Sequence, residues 1–364
     1  MVRVLHLRRL QDAGFPSDLD RQAVPRVAPP DPRHGAARRV RELLGVEHGT
    51  AGRAREFQPP REGQARQARG DERVVEDAGP RPAAEGLSAD RALDWSGRVA
   101  LVSGAGSNIG RAVALEFVRR GAAIVLAGRD EARLQRTLAA AGAPGRVLVR
   151  AGDLAQDGVA ESLVARALEY FGRIDAVACL AGGGGGDQAL LEQSPAAWEG
   201  LVRDNLFTSM RVARAALPAL CASRGTILFT SGGGAWFPET NARHTAYATA
   251  KAALCRLTDQ LAFELLASGV RVNCLQPGLV LNEDDLARVE SEESVLGAPH
   301  ALRASNHTPE QAAELALWLL GSASAPLSGR LVATDDPWWH SATRAELERI
   351  QADPHAYTLR RSVI

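Results

Sequence analysis

Short apolar runs alternate with longer amphipathic stretches from Arg98 onward. Seven runs have the length and composition of buried strands, at 98–103, 122–128, 146–151, 174–181, 225–230, 271–276 and 329–334. The segments between them repeat apolar residues at three- and four-residue spacing, which indicates helices. Alternating strands and helices pair in parallel, and right-handed crossovers place helices on both faces. The pattern predicts an α/β fold: a Rossmann-type doubly wound parallel sheet of about seven strands in a single domain, residues 93–336.

The first 92 residues lack this pattern. They are rich in Arg, Pro, Gly and Ala, as in "RVAPPDPRHGAARR". Such a segment buries too little apolar surface to offset the entropy lost on ordering its backbone, so we expect a disordered N-terminal extension. Two other interpretations stay open: an Arg-rich targeting or RNA-contacting arm, and upstream sequence included through a misplaced start. Acidic residues among the arginines argue against a targeting peptide.

Charge and cysteine content narrow the class of protein. The 364 residues carry 43 Lys and Arg against 43 Asp and Glu, which gives no electrostatic reason to expect nucleic acid or a membrane surface as a partner. Neither a membrane span nor a secretory signal is recognisable. The four cysteines lack metal-ligand spacing and lie in apolar stretches. We therefore expect a cytoplasmic protein with reduced core thiols and no metal site.

A glycine-rich turn, "SGAGSNIG" (103–110), follows the first strand and opens the first helix. Glycine lets the backbone approach a ligand closely, and exposed amides at a helix N-terminus favour an anion such as a pyrophosphate. Its place at the start of a βαβ series predicts a dinucleotide site. The expected cofactor contacts are Gly104, Ser107, Asn108, Ile109 and Gly110.

The end of the second strand indicates which dinucleotide binds. A carboxylate there would accept hydrogen bonds from a ribose 2′-hydroxyl, but the chain has Gly128 and Arg129, with no acid until Asp130. Arg129 can pair bidentately with a 2′-phosphate. NADP(H) is therefore the preferred cofactor, with NAD(H) still open. The alternative is that Arg129 is only a surface residue at a helix start.

Lys251 is the only lysine of the chain, and it stands four residues after Tyr247 in "YATAK". Residues four apart on a helix share one face. A free tyrosine has a pKa near 10, and a nearby ammonium could lower it by about three units, or about 4 kcal/mol. Arginine spreads its charge over a planar fork and substitutes poorly. The pair therefore predicts an acid/base site, although the spacing could be coincidence.

With these motifs the chain resembles the short-chain dehydrogenases/reductases, in their single-domain branch with an Asn-Ser-Tyr-Lys active site. The resemblance covers roughly Gly97 to Asp335. It rests on "SGAGSNIG", Asp153-Leu154 after the third strand, "CLAG" after the fourth, "WEGLVRDN", "FTSGGG" after the fifth, "YATAK" and "RVNCLQPG".

The resemblance implies a role for each matching residue. Tyr247 is the acid/base, and Lys251 lowers its pKa and holds the nicotinamide ribose. Ser231 hydrogen-bonds the substrate carbonyl, and Asn205 anchors a water of a proton relay. The remaining cofactor contacts are Asp153 and Leu154 at the adenine, Ala181 and Gly182 at the ribose, and Pro277 and Gly278 at the nicotinamide face.

Several positions depart from the family pattern. Ser103 and Asn108 replace a threonine and a glycine of the first loop, and asparagine tolerates the left-handed backbone that this loop requires. "CLAG" replaces "NNAG" and loses two side chains that tie the sheet together. Ser231 precedes Tyr247 by 16 residues, which implies a longer loop beside the substrate. Asn282 stands where threonine commonly contacts the carboxamide.

After Gly278, the sequence predicts two further segments. Residues 279–308 are polar and acidic, and we expect them to form a substrate lid. Residues 337–364 form a C-terminal tail. Trp338 and Trp339, next to each other, could close a pocket or pack a subunit interface, and aromatic enrichment at interfaces favours the second.

Together these features favour an NADPH-dependent carbonyl reductase that also runs as an alcohol dehydrogenase. Its substrate is a small carbonyl or alcohol, and the resemblance implies a homodimer or homotetramer packed through the fourth and fifth helices. Two alternatives stay open: an enzyme like the sugar-nucleotide epimerases and dehydratases with tightly held NAD, and a catalytically degenerate dinucleotide sensor or scaffold.

Overall fold

The computed structural model describes residues 94–184, 188–236, 243–296 and 306–359. All of them belong to one compact unit, Arg81–Ile364. The extension predicted for residues 1–92 lies outside the described residues.

Seven parallel strands form one sheet in the order β3-β2-β1-β4-β5-β6-β7. They are β1 Val99–Ser103, β2 Ala123–Gly128, β3 Val147–Ala151, β4 Ala176–Cys179, β5 Thr226–Thr230, β6 Arg271–Gln276 and β7 Arg330–Ala333. Each predicted run contains one strand, so the predicted α/β class and strand number are confirmed. Strand order reverses between β1 and β4, and ligands of open α/β sheets bind above such a reversal, beyond the carboxyl ends of the strands.

Nine helices connect or follow these strands in the described part of the chain. They are α1 Asn108–Arg119, α2 Glu131–Ala141, α3 Val159–Phe171, α4 Pro195–Val202, α5 Thr208–Ser223, α6 Thr245–Glu264, α7 Glu283–Leu296, α8 Pro309–Leu320 and α9 Arg344–Ala352. Buried apolar residues form two clusters, one on each face. Helices α3, α5 and α6 cover the first face, and α1, α2 and α8 cover the second. The sheet is therefore doubly wound, as predicted.

The C-terminal segment packs against its own domain. Trp339 is 4% exposed and belongs to the second core cluster, with its ring centroid 5.8 Å from that of Trp318. Trp338 lies 5.9 Å from the Trp318 centroid and 5.0 Å from that of Tyr357. Within one chain the pair therefore packs on its own domain, and its predicted place at a subunit interface stays a prediction. Trp318 belongs to α8, which precedes β7, and the two tryptophans that follow β7 pack against its ring.

Candidate active site

The loop after β1 has the backbone shape of an anion-binding turn. Gly104 has φ +73°, and a side chain there would stand 2.8 Å from the Ala181 nitrogen. Asn108 has φ 46°, so asparagine occupies the left-handed conformation, as the sequence suggested it could. The turn thus keeps its shape despite the substitution, and it lies against the residues that follow β4.

The N-terminus of α1 fits a negatively charged ligand. Ser107 is at the N-cap position but makes no side-chain capping hydrogen bond, and the first turn carries no acid. The neighbouring helix α2 is different, because Asp130 Oδ1 accepts a hydrogen bond from Arg133 N at 2.9 Å. Amides at a helix start that no side chain caps suit the phosphates of a dinucleotide. Gly104, Ser107, Asn108, Ile109 and Gly110 are the residues that would hold them.

Ser103 ties the Gly-rich loop to the end of β4. Its Oγ accepts hydrogen bonds from Leu180 N at 3.1 Å and Ala181 N at 3.2 Å, and it lies 3.5 Å from Ala178 O. Sequence reasoning expected this tie to be weakened by the loss of two asparagines. The buried Ser103 hydroxyl supplies such a tie here, and the sequence did not reveal it.

Asn205 lies in a π-helical turn, Arg203–Phe207, between α4 and α5. The residue is fully buried, and its Oδ1 accepts from Gly183 N at 3.1 Å. Its Nδ2 donates to Gly183 O at 3.0 Å and to Leu201 O at 3.0 Å. The side chain therefore holds the Gly182–Gly183 loop, and the predicted water relay stays a prediction.

Tyr247 and Lys251 occupy successive turns of α6 on one side of the helix. Lys251 Nζ lies 5.5 Å from the centroid of the Tyr247 ring. A side chain on Gly232 would collide with the Tyr247 hydroxyl, so that hydroxyl lies beside the residue that follows Ser231. Ser231 itself is 1% exposed. The structure thus brings Ser231, Tyr247 and Lys251 together at the carboxyl end of β5.

Lys251 is buried with little polar compensation. Among the residues that the structure describes, its Nζ donates one hydrogen bond, to Thr230 O at 3.1 Å, and Lys251 is 5% exposed. Burial lowers the pKa of Lys251 to about 8, while the nearby Cys274 and Cys255 thiols act in the opposite direction. Lys251 is therefore mostly protonated at neutral pH, because its pKa lies only slightly above 7.

Behind Ser231 lies a pair of thiols that sequence reasoning treated as core. Ser231 Oγ is 3.2 Å from Cys255 Sγ, close enough for a hydrogen bond to sulfur. A hydrogen bond with Cys274 lowers the pKa of the Cys255 thiol, and burial raises the pKa of Cys274. Cys255 comes eight residues after Tyr247 and therefore shares its side of α6, which is the signal that could have revealed this contact.

A sequence profile described as short chain dehydrogenase matches residues 98–293. The chain belongs to the short-chain dehydrogenase family. It is therefore an oxidoreductase, of a family that binds nicotinamide dinucleotides and acts on small molecules.

Relatives of this short-chain dehydrogenase span most of the described domain. An uncharacterised NAD-dependent oxidoreductase of Mycobacterium tuberculosis is 32% identical over 267 residues, covering 66% of this chain and 94% of the relative. L-fucose dehydrogenase of Bos taurus is 32% identical over 187 residues, covering 50% and 66% respectively. The solved structure of a Brucella melitensis short-chain dehydrogenase/reductase, described as glucose/ribitol dehydrogenase, has 28% identity and a TM-score of 0.57, covering 66% and 95%.

Two predicted contacts of this dehydrogenase with the adenosine half of its cofactor have local partners in the structure. The Arg129 side chain is 70% exposed, and its Nη1 lies 3.1 Å from Asp204 Oδ2. Asp153 Oδ1 accepts from Ala155 N at 3.0 Å, while Leu154 is buried. Both segments follow the carboxyl ends of β2 and β3, where the family's cofactor contacts are expected.

The segment after β6 is fixed at both ends in this dehydrogenase. Gly278, with φ +72°, lies so close to the His307 imidazole that a side chain would collide with it. His307 Nε2 is 2.8 Å from Asp335 Oδ1, and Leu279 O accepts from His307 N at 2.7 Å. Sequence reasoning missed His307. Within the predicted lid, Asn282 Oδ1 accepts from Asp285 N at 2.8 Å at the start of α7.

Two kinds of site are absent from the described residues of this dehydrogenase. No cluster of three or more His, Cys, Asp or Glu side chains there could hold a metal ion. Among the same residues, no helix has the length and apolar character of a membrane span.

Proposed function

We propose that this protein is an NADPH-dependent carbonyl reductase that also oxidises the corresponding alcohol. The observation that carries the proposal is the grouping of Ser231, Tyr247 and Lys251 at the carboxyl end of β5, on the same edge of the sheet as the Gly-rich turn after β1. These three side chains can supply a proton donor, a hydrogen-bond donor for the developing oxyanion and a positive charge, which together support carbonyl reduction.

Each of the three side chains has a distinct task in the proposed reaction. The bound nicotinamide supplies the hydride to the carbonyl carbon, or accepts it in the reverse direction. Tyr247 donates its hydroxyl proton to the carbonyl oxygen, which completes the alcohol. Ser231 donates a hydrogen bond to the same oxygen as negative charge develops there. The Lys251 ammonium, 5.5 Å from the phenol ring, stabilises the phenolate that Tyr247 leaves behind.

A ketone panel with matched variants tests the proposal. NADPH oxidation should be detected by absorbance with at least one ketone, and Tyr247→Phe should lower kcat by at least about a hundredfold. Cofactor binding, measured by fluorescence titration, should change less than about twofold, because the phenol oxygen is only one of many contacts. Tyr170→Phe, on the exposed side of α3, is the control. A wild-type protein that binds NADPH but turns over no substrate would favour the sensor or scaffold alternative. If the protein forms product while its bound NAD stays on the enzyme and does not exchange with solution, the alternative of an epimerase-like enzyme would be favoured.

The preference for NADP(H) is part of the proposal and depends on Arg129. Its side chain is 70% exposed and can turn from Asp204 toward a 2′-phosphate. The name of the Mycobacterium tuberculosis relative points instead to NAD. Arg129→Ala should reduce the ratio of kcat/KM for NADPH to that for NADH by about tenfold or more, from the loss of a charge-assisted hydrogen bond. An unaltered ratio would refute the preference.

We also propose that the protein forms a homodimer or homotetramer through the predicted fourth and fifth helices, which are α4–α5 and α6 of the structure. Phe207, Phe263 and Leu266 expose apolar side chains on or next to these helices, at 45%, 81% and 69%. Exposed large apolar side chains on these elements support the proposed association. Light scattering of the wild type and of Phe263→Glu should give an oligomer and a smaller species. A wild-type monomer would refute this assembly.

A further inference from the structure

Gln276, the last residue of β6, is the strand neighbour of Ser231. Thr230 of β5 pairs with Leu275 of β6, and Ser231 N donates to Leu275 O at 2.8 Å. The ladder therefore continues one residue beyond β5, which places Gln276 beside Ser231. Paired residues of neighbouring strands are about 4.8 Å apart and point to the same face of the sheet.

The face in question is the one covered by α6. Val272 and Cys274 of β6 belong to the core cluster on that side, whereas Leu275 belongs to the opposite cluster. Side chains alternate along a strand, so Gln276 points to the same side as Cys274. Ser231 points there too, because its Oγ contacts Cys255 of α6. The Gln276 amide and the Ser231 hydroxyl thus share one wall of the candidate active site.

The Gln276 side chain is buried, and within the described part of the chain its amide oxygen is left without a donor. The residue is 8% exposed, and its Oε1 has no hydrogen-bond partner among the residues that the structure describes. Its main chain is held in place, since Gln276 O accepts from Thr334 N at 2.9 Å. A buried acceptor without a donor is unfavourable, and a ligand that supplies the donor removes that cost. The observation points to a ligand that brings a donor to this position.

We propose that Gln276 Oε1 accepts a hydrogen bond from a hydroxyl on the carbon next to the reacting carbonyl. The substrates are then α-hydroxy ketones and aldehydes, and vicinal diols in the oxidative direction. This inference rests on the proposed function, because Ser231 holds the carbonyl oxygen in it. Gln276 and Ser231 lie on neighbouring strands about 4.8 Å apart and point to the same face. When Ser231 holds the carbonyl oxygen, the carbon next to the carbonyl is therefore within reach of the Gln276 side chain. A substrate with an ethyl group in place of the hydroxymethyl group would leave Gln276 Oε1 without a hydrogen-bond donor.

Matched substrate pairs test the inference through a ratio. Hydroxyacetone and butanone differ only in CH2OH against CH2CH3, as do 2-hydroxyacetophenone and propiophenone. Wild-type kcat/KM should favour the hydroxylated member of a pair. Gln276→Met, which keeps the length but removes the amide, should reduce that preference by about five- to tenfold. Gln260→Met, an exposed position on α6, is the matched control and should keep the preference. The ratio needs no correction for a lower amount of folded enzyme.

The alternative outcomes are separable. An unchanged ratio in active Gln276→Met would overturn this inference and leave the proposed function intact. An equal fall for both ketones, with weaker NADPH binding, would overturn it too, because the donor would then belong to the cofactor. If Gln276→Met does not fold, Gln276→Asn, which withdraws the amide by one carbon, tests the same ratio against the same two outcomes. A wild-type enzyme that reduces no ketone of either kind would instead refute the proposed function, and this inference with it.

Discussion

Two cations at opposite ends of one sheet, Arg271 partly buried and Lys251 buried, differ in how the protein satisfies their hydrogen-bond donors. Arg271, the first residue of β6, donates to Leu319 O, Leu320 O, Gly321 O and Leu327 O and to Ser324 Oγ. Lys251, beside the carboxyl end of β5, donates to Thr230 O within the described part of the chain. Burial lowers the pKa of both, to about 10 for Arg271 and to about 8 for Lys251.

The difference indicates that Arg271 has a structural role and that Lys251 has a functional one. A guanidinium presents five donors in a fixed plane, and the turn after α8 supplies carbonyls to match them. The Arg271 charge is therefore stabilised in place and remains protonated at physiological pH. An ammonium with one partner is poorly stabilised and keeps donors for a ligand. The buried charge of Lys251 thus lowers the stability of the protein at the site where we propose the reaction, as residues of functional sites often do.

Arg271→Met should give the largest effect on stability. Removal of the guanidinium breaks five hydrogen bonds of a charged group and takes the side-chain donor from Leu320 O, although Ser324 and Asn273 still donate to the other three carbonyls. We expect the free energy of unfolding to fall by about 3–5 kcal/mol. Urea unfolding followed by circular dichroism measures this. Arg119→Met, whose side chain is 71% exposed, should change it by less than about 0.5 kcal/mol. A similar small change for Arg271→Met would mean that its carbonyl partners are hydrated.

Lys251→Met should have the opposite effect, because it should increase the free energy of unfolding at neutral pH. The folded protein holds this group at a pKa of about 8 against an ordinary value of 10.5, so the unfolded chain binds more protons between these values. The penalty on folding is complete below pH 8 and is relieved as pH rises toward 10.5. We expect the methionine variant to be about 2 kcal/mol more stable than wild type at pH 7, after allowance for the lost hydrogen bond to Thr230.

The pH dependence is the sharper part of this prediction. The stability advantage of Lys251→Met over wild type should shrink steadily between about pH 8 and pH 10.5 in paired urea titrations. An advantage that stays constant over this range would mean that Lys251 titrates alike in the folded and unfolded chains, so that burial does not lower its pKa. A variant less stable than wild type at pH 7 would show that the charge is better solvated than its single hydrogen bond indicates.

Sequence predicted the fold well because hydrophobic periodicity is local and repeats along the chain. All seven strands and both covered faces follow from it. The pairing of Tyr247 with Lys251 on one side of α6 is also local, since helix geometry sets it. The contacts that the sequence did not reveal cross between elements. Ser103 bridges β1 and the end of β4, and Trp339 packs on α8 because of where β7 ends. Ser231 meets Cys255, and Gln276 stands beside Ser231, only through strand register and helix packing.

The smallest expected effect concerns the thiol behind Ser231. If Cys255, 3.2 Å away, holds the Ser231 hydroxyl in position, Cys255→Val keeps the volume but frees that hydroxyl to rotate. On the proposed function, kcat should then fall about fivefold, or about 1 kcal/mol, with KM little changed. Cys255→Ser should restore most of the loss, and Cys221→Val, another helical cysteine, should cause none. The decisive measurement repeats Cys255→Val in a Ser231→Ala background. There the substitution should have no further effect on kcat, because the hydroxyl that it positions is gone. An equal loss in both backgrounds would make Cys255 a packing residue only.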